Sequence, residues 1–268
     1  MSADHIDHEA ALAALMWLVE LGADEPIAEA PVNRYALATE AAKPATAAAP
    51  REASPAAASA VRAPAGPDPV AEAEAMAARA QSLEALAEAQ AAFEHCDLKK
   101  GARNFVFSDG NHKARVMIIG EAPGREEDLE GRPFVGRAGQ LLDRMFAAIG
   151  LSRGSPDAES ALYITNVMPW RPPQNREPDA SEISMMLPFL RRHVELADPD
   201  VIVLMGNTPC AAALGKRGIL RLRGNWTEAF GKPALPMTHP AYLLRNPAAK
   251  REAWSDLLEL KAKLKELE

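Results

Sequence analysis

Residues 114–120 read ARVMIIG, a short apolar run that ends in a glycine. Three similar runs follow along the chain, ALYITN (161–166), DVIVLMG (200–206) and ALPMT (234–238). The stretches between them read as helices, and such alternation is typical of a parallel sheet with helices on both faces. We therefore predict an α/β fold of three layers, α/β/α, with a central parallel sheet of about four strands.

Each of these runs ends at or just before a residue that suits a functional site. Gly120, Asn166, Gly206 and His239 lie at or just past the carboxyl ends of the predicted strands. Open α/β sheets place their sites outside this edge. We therefore expect the residues that carry the chemistry to lie in the loops that follow the four strands.

The composition divides the chain into three segments. We predict an amphipathic helix within residues 1–30, a disordered Ala/Pro-rich linker over 31–69, and a catalytic domain over 70–268 that opens with a helix from about Val70 to Phe93. The start has no basic region, and no apolar stretch is long enough to span a bilayer. We expect a soluble cytoplasmic protein that makes no contact with a membrane.

The charge is distributed unevenly. The 268 residues carry a net charge of −7, but residues 1–90 hold 14 acidic and 5 basic side chains, which leaves +2 for residues 91–268. A mildly basic domain is compatible with a nucleic-acid ligand, although charge alone does not establish one. The two cysteines, Cys96 and Cys210, lack CxxC spacing and cannot build a four-thiolate cluster or a structural zinc site.

The first motif, GEAPG at residues 120–124, follows the first predicted strand. It lacks the Lys-Ser/Thr of a nucleotide-binding phosphate loop, and on its own it is equally compatible with a structural turn. The residues after it, REED (125–128), add acids, and residues 131–140 form a glycine- and arginine-rich loop. This combination suits a site that positions a water molecule while it holds a phosphate.

The second motif starts at Asn166 and continues as VMPWRPPQNR to residue 176. An asparagine after a strand is often only a cap or turn former. Its amide nevertheless offers the donor and the acceptor that are needed to read one edge of a pyrimidine. Arg171 and Arg176 could face phosphates, or they could be ordinary solvated charges.

The third motif is HPAYLLRNP at residues 239–247. A single histidine is more often structural than catalytic. Here it opens a loop with a tyrosine, two leucines and an arginine, the composition of a wedge that is pushed into a duplex. If the loop were only structural, Leu243 and Leu244 should be buried in the core.

Together the motifs resemble the uracil-DNA glycosylase superfamily, specifically its family 4. GEAPGREEDLEGRPFVGRAGQLL, ITNVMPWRPPQNREP and THPAYLLRNP match that family in order and spacing across about residues 96–257. The resemblance implies a uracil-DNA glycosylase-like fold and hydrolysis of the N-glycosidic bond of a flipped uracil in base excision repair. The partners it implies are uracil-containing DNA and free uracil as product, and we expect a monomer.

The resemblance also implies roles for individual residues in the uracil pocket. Asn166 would read the base, and His239 would donate to uracil O2. Glu121 is the first candidate to orient the attacking water, and Glu127 is the second, because the sequence does not separate them. The uracil-binding residues implied are Ala122, Glu127, Phe134, Asn166 and His239, with Phe134 stacking on the base and Glu127 crowding its position 5.

The DNA contacts that we predict come from three loops. They are Arg137, Gly139 and Gln140 in the first, Arg171 and Arg176 in the second, and Tyr242, Leu243, Leu244 and Arg245 in the third. A related branch carries an inserted basic loop with a histidine that traps the sugar. This chain has no such insertion, so we expect ordinary turnover through water.

Family 4 members carry a four-iron cluster on four cysteines, and the equivalent positions here are Phe93, Cys96, Trp170 and Met186. One thiolate cannot hold such a cluster. We therefore expect no cofactor and no metal, with Trp170 and Met186 packing in the corresponding volume.

Three rival functions remain open. The first is a protein that binds uracil or abasic DNA without releasing a base. The second is a glycosylase for another deaminated base, such as hypoxanthine or xanthine. The third, a nucleotide-dependent enzyme, is disfavoured by the missing Lys-Ser/Thr.

Overall fold

The structure is a computed structural model that describes residues 68–267. The predicted helix within residues 1–30 and the linker up to residue 67 lie outside the described residues. Within residues 68–267, no helix combines the length and the apolar character needed to cross a membrane.

The described residues form one six-stranded sheet with the strand order β1-β3-β2-β4-β6-β5. The strands are β1 (Ser108–Gly110), β2 (Val116–Gly120), β3 (Leu162–Asn166), β4 (Val201–Met205), β5 (Thr227–Ala229) and β6 (Lys232–Met237). Strands β3, β2, β4 and β6 are parallel neighbours, whereas β1 and β5 pair antiparallel at the two edges. The four predicted strands are therefore confirmed, and the sheet is mixed because two short edge strands extend it.

Ten α-helices and two 3₁₀ turns complete the described part of the chain. The helices are α1 (Pro69–Arg79), α2 (Leu83–Ala92), α3 (Leu98–Gly101), α4 (Arg125–Glu130), α5 (Arg137–Ala147), α6 (Ala180–Ala197), α7 (Asn207–Leu214), α8 (Ile219–Leu222), α9 (Pro240–Arg245) and α10 (Lys250–Glu266). The 3₁₀ turns are Pro173–Asn175 and Pro247–Ala249.

The two faces of the sheet bury two separate cores, which confirms the three-layer prediction. Alternate residues of β2 point to opposite sides, so Met117 packs under α1, α2 and α6, whereas Ile118 packs under α5 and α10. Strands β2, β3 and β4 are buried along their whole length. This double burial explains why they read as continuous apolar runs without alternation.

The single helix predicted from Val70 to Phe93 is wrong, because the chain breaks it into α1 and α2. Ala80 leaves the helical region with ψ 123°, and the Ser82 hydroxyl then caps α2 by accepting from the Ala85 N–H at 3.2 Å. The break frees the Ala80 carbonyl, which accepts two N–H groups from Arg192. At the other end the Asp68 side chain caps α1, which begins at Pro69, one residue before the predicted start at about Val70.

Candidate active site

The loops after β2, β3, β4 and β6 meet at one edge of the sheet around a cleft of about 800 Å³. This is the edge that the sequence predicts. Of the predicted site residues, the cleft is lined by Glu121, Ala122, Glu127, Phe134, Arg137, Asn166, Arg176, His239, Tyr242, Leu244 and Arg245. Residues brought by three separate motifs therefore share one site.

Asn166 and Phe134 meet above Gly120. A Cβ atom at residue 120 would lie 2.3 Å from the Asn166 Oδ1 and 2.5 Å from the Phe134 ring, so only glycine leaves room for both side chains. Asn166 is buried, and within the described residues its Oδ1 has no hydrogen-bond partner. Since buried polar atoms are normally paired, this oxygen is an acceptor suited to a ligand donor.

His239 is held in one tautomer by the start of α9. Its Nδ1 accepts the N–H of Ala241 at 3.2 Å, which leaves the ring proton of the neutral imidazole on Nε2. Burial, with a smaller effect from the Arg245 charge, lowers the pKa of His239 to about 4. The imidazole is therefore neutral at pH 7 and offers an Nε2–H donor. Its ring lies 5.4 Å from that of Phe134, centroid to centroid.

Glu121 follows β2 directly and is held by two contacts. The loop backbone is tied to the loop after β3, because Met168 donates its N–H to the Glu121 carbonyl at 3.0 Å. The carboxylate accepts from the Thr208 hydroxyl at 2.6 Å. Burial raises the pKa of the Glu121 carboxyl, and the Thr208 bond opposes this rise. One carboxylate oxygen thus stays available at the cleft.

The Glu127 carboxylate is bound by backbone N–H groups. Its Oε2 accepts the Gly124 N–H at 3.1 Å, and its Oε1 accepts the N–H groups of Val135 and Gly136 at 3.0 and 2.9 Å. The carboxylate therefore joins the start of α4 to the loop before α5. Both Glu127 oxygens accept backbone N–H groups, whereas the Glu121 carboxylate has one hydrogen-bond contact within residues 68–267, with Thr208.

The acidic run 125–128 does not act as one acid cluster. Asp128 is buried and accepts the backbone N–H groups of Arg103 and Asn104 at 2.8 and 3.1 Å. Glu126 is exposed at the cleft. The expectation of an acid cluster that positions water is therefore wrong for Asp128, because its oxygens hold the chain before β1.

Seven of the nine predicted DNA contacts fall into three groups. Arg137, Tyr242, Leu244 and Arg245 line the cleft. Arg176 also lines it, but its guanidinium is paired through two N–H groups with Glu182, at 2.8 and 2.6 Å. Arg171 and Gln140 do not line the cleft, and the Arg171 Nε donates to the Asn175 side chain at 2.8 Å.

Two of the predicted DNA contacts are wrong. Leu243 is fully buried and packs with Leu141 and Ala253, so its side chain is part of the core and cannot enter a duplex. Gly139 is buried as well, and a Cβ there would lie 1.8 Å from the Phe134 carbonyl oxygen. Its role is to let α5 approach the backbone of Phe134.

Sequence reasoning missed two threonines of the site. Thr208 follows β4 and holds Glu121, and Thr238 lies in the cleft directly before His239. Thr238 is buried, and its hydroxyl has no partner among the described residues. Both threonines follow strands whose carboxyl ends were already placed at the site, and that position was the available signal.

The sequence matches a known superfamily over the part of the chain that forms the sheet and the cleft. A profile of the Uracil DNA glycosylase superfamily matches residues 107–258, which include all four parallel strands and every loop that lines the cleft. The chain belongs to the uracil-DNA glycosylase superfamily.

Within this superfamily the chain is similar to type-4 uracil-DNA glycosylases. It is 40% identical to that of Archaeoglobus fulgidus over 174 residues, covering 62% of this chain and 84% of the relative. The identity to the type-4 enzyme of Thermotoga maritima is 39%, covering 64% and 88%. For that of Saccharolobus solfataricus it is 36%, covering 68% and 87%.

These relatives contradict the expectation that the chain has no cofactor. They belong to the type-4 class, whose members are iron-sulfur enzymes, so the expectation is wrong and is withdrawn.

The residues at the four corresponding positions do not fit a four-iron cluster. Phe93, Cys96, Trp170 and Met186 are all buried in the core under α1, α2 and α6. They supply one thiol, whose pKa is raised by burial, together with two aromatic rings and a thioether. The class and this donor set therefore disagree, and these four side chains give no basis for chemistry through a cluster.

Proposed function

We propose that the protein is a monofunctional uracil-DNA glycosylase. It hydrolyses the N-glycosidic bond of uracil in single-stranded DNA or in a mismatched duplex and leaves an abasic site for base excision repair. One observation carries the proposal: a neutral histidine donor, an asparagine oxygen with no partner within residues 68–267, and an aromatic ring meet in one cleft of the superfamily fold.

Base recognition rests on Asn166. Its Oδ1 accepts from uracil N3–H, and its amide nitrogen donates to O4. Cytosine has a lone pair at N3 and an amino group at position 4, so each contact would set like groups against each other. Phe134 stacks on the flipped base, Ala122 contributes a backbone N–H, and Glu127, through the loop that it holds, limits the room at position 5.

The reaction breaks the bond between C1′ of the sugar and N1 of uracil. The bonding electrons leave with the base, and the negative charge that grows on uracil O2 is stabilised by the Nε2–H of His239. Glu121 orients a water molecule and stabilises the positive charge on the sugar. The water oxygen bonds to C1′, and its proton is lost to the carboxylate or solvent.

The DNA strand is held by exposed arginines at the cleft. Arg137 and Arg245 line it and have no ion pair within residues 68–267, so both are available for phosphates. Tyr242 and Leu244 flank the space that the extruded nucleotide leaves. The monomeric state, the cytoplasmic location and free uracil as product are parts of the same proposal.

The test is single-turnover release of uracil from a single strand and from a G·U duplex, with cytosine and thymine oligonucleotides beside them. We expect release from the uracil substrates alone. His239→Ala and Glu121→Gln should each lower the rate by roughly 10²- to 10³-fold. The matched controls are His112→Ala and Glu228→Gln, exposed residues outside the cleft, and they should keep the wild-type rate.

Tight binding of uracil-containing or abasic DNA without release of a base would contradict the proposal and favour a protein that only binds such DNA. Release of hypoxanthine or xanthine in preference to uracil would contradict the assigned base.

A further inference from the structure

Phe134 is held in an unfavourable backbone conformation. Its φ is +54°, in the left-handed region that a bulky residue rarely adopts. The residue is nevertheless 95% buried, and its ring lies against the His239 ring and above Gly120. A conformation of this kind persists only where surrounding contacts over-determine it.

Part of that support comes from one side chain. The guanidinium of Arg153, in the loop between α5 and β3, donates to the Pro133 carbonyl at 2.8 Å and to the Phe134 carbonyl at 2.9 Å. The two bonds use both terminal nitrogens, so the planar guanidinium binds two consecutive carbonyls. Arg153 lies outside all three sequence motifs and does not line the cleft.

Arg153 is itself fixed by two carboxylates from different elements. Asp143 on α5 accepts from its Nε at 2.8 Å, and Asp109 on β1 accepts from its Nη1 at 3.0 Å. The side chain is only 14% exposed. An edge strand and a helix thus hold the guanidinium, and the guanidinium holds the Phe134 backbone.

We propose that Arg153 is a positioning residue for base recognition: it fixes the Phe134 backbone so that the ring is preformed to stack on the flipped base. This inference rests on the proposed function for the role of the ring, but not for the backbone geometry. Lysine cannot replace arginine here, because one ammonium group cannot present two parallel N–H groups to two carbonyls.

The test is a double-mutant cycle between Arg153→Met and Phe134→Ala, measured as single-turnover uracil release well below the melting temperature of each variant. Arg153→Met and Arg153→Lys should each slow release by ~10- to 100-fold, the usual effect of a small misplacement. In the Phe134→Ala background, Arg153→Met should change the rate by less than about twofold, because the ring that it positions is gone.

The matched control is Arg192→Met. Arg192 also donates two N–H groups to a backbone carbonyl, that of Ala80, but far from the cleft. It should leave release unchanged. An unchanged rate in Arg153→Met, or the same loss in both backgrounds, would overturn the inference, since a merely structural role predicts equal losses.

A second readout is independent of catalysis. Hydrogen exchange at the amides of residues 134–139 should become faster in Arg153→Met and stay unchanged in Arg192→Met. If wild-type protein released no uracil, the proposed function would fail, and this exchange measurement would still decide the positioning role. Equal exchange in wild type and Arg153→Met would refute it.

Discussion

Burial and one hydrogen bond from Thr208 act in opposite directions on the protonation of Glu121. Burial raises the pKa of the carboxyl, and the Thr208 hydroxyl opposes that rise. In the proposed mechanism the carboxylate is the form that orients water, so the rate should fall as the pH falls through the pKa of Glu121. His239 has a pKa of about 4 and titrates at the acid end of the same range, so the response to Thr208 variants identifies the part of the profile that belongs to Glu121.

We predict that Thr208→Val moves the acid limb of the pH-rate profile to higher pH, because the bond that favours the charged form is lost. Thr208→Ser keeps the hydroxyl and should leave the limb near its wild-type position. The measurement is single-turnover uracil release over pH 4–8, with the exposed Thr227→Val as control. A limb that stays in place in Thr208→Val would show that another group titrates there.

At the scale of elements, the site depends on loops that hold one another. Glu127 ties the first turn of α4 to the loop before α5 through three N–H groups. Hydrogen bonds to a charged group contribute more than neutral ones.

We predict that Glu127→Gln lowers the free energy of unfolding by roughly 1–3 kcal/mol, because its amide nitrogen cannot accept an N–H. Urea unfolding measures this, and Glu126→Gln, the exposed neighbour, is the matched control. Equal midpoints for wild type and Glu127→Gln would mean that the carboxylate does not hold the loops.

The sequence predicts the elements of the sheet better than the tasks of the loop residues. Fully buried parallel strands are continuous apolar runs, so β2, β3, β4 and β6 are visible, whereas β1 and β5 have three residues each and no such pattern. The break at Ala80 is hidden because the carbonyl partner, Arg192, lies 112 residues away.

Residues of the same type have different surroundings in this protein, and only their three-dimensional contacts distinguish them. Glu121 and Glu127 look alike in sequence, but one faces Thr208 and the other backbone N–H groups. Leu243 and Leu244 are neighbours, yet the helix α9 turns one into the core and the other to the cleft. Neighbouring residues of a helix point in different directions, whereas the prediction of a wedge treated this segment as a loop.

At the scale of the whole molecule, a net charge of −7 coexists with a cleft that carries exposed arginines. Affinity for DNA depends on the phosphates that are contacted, and each contact releases counterions. Arg125, Arg137 and Arg245 are the exposed cleft arginines that have no ion pair within the described residues.

We predict that Arg137→Ala weakens binding of a single strand and reduces the slope of log K against log salt by ~0.7, the value for one phosphate contact. Arg245→Ala should act alike. Lys261→Ala, on the exposed side of α10, should leave the slope unchanged. Titrations at several salt concentrations give the slopes, and an unaltered slope in both arginine variants would place the strand elsewhere.

Two atoms of the cleft, the Asn166 Oδ1 and the Thr238 hydroxyl, have no hydrogen-bond partner within residues 68–267. Both are buried by the folded chain, so a small molecule that reaches them binds the folded protein and not the unfolded one. Such a molecule stabilises the fold according to its affinity and concentration and raises the melting temperature. Thermal-shift measurements with uracil or its analogues can therefore rank inhibitors without any DNA.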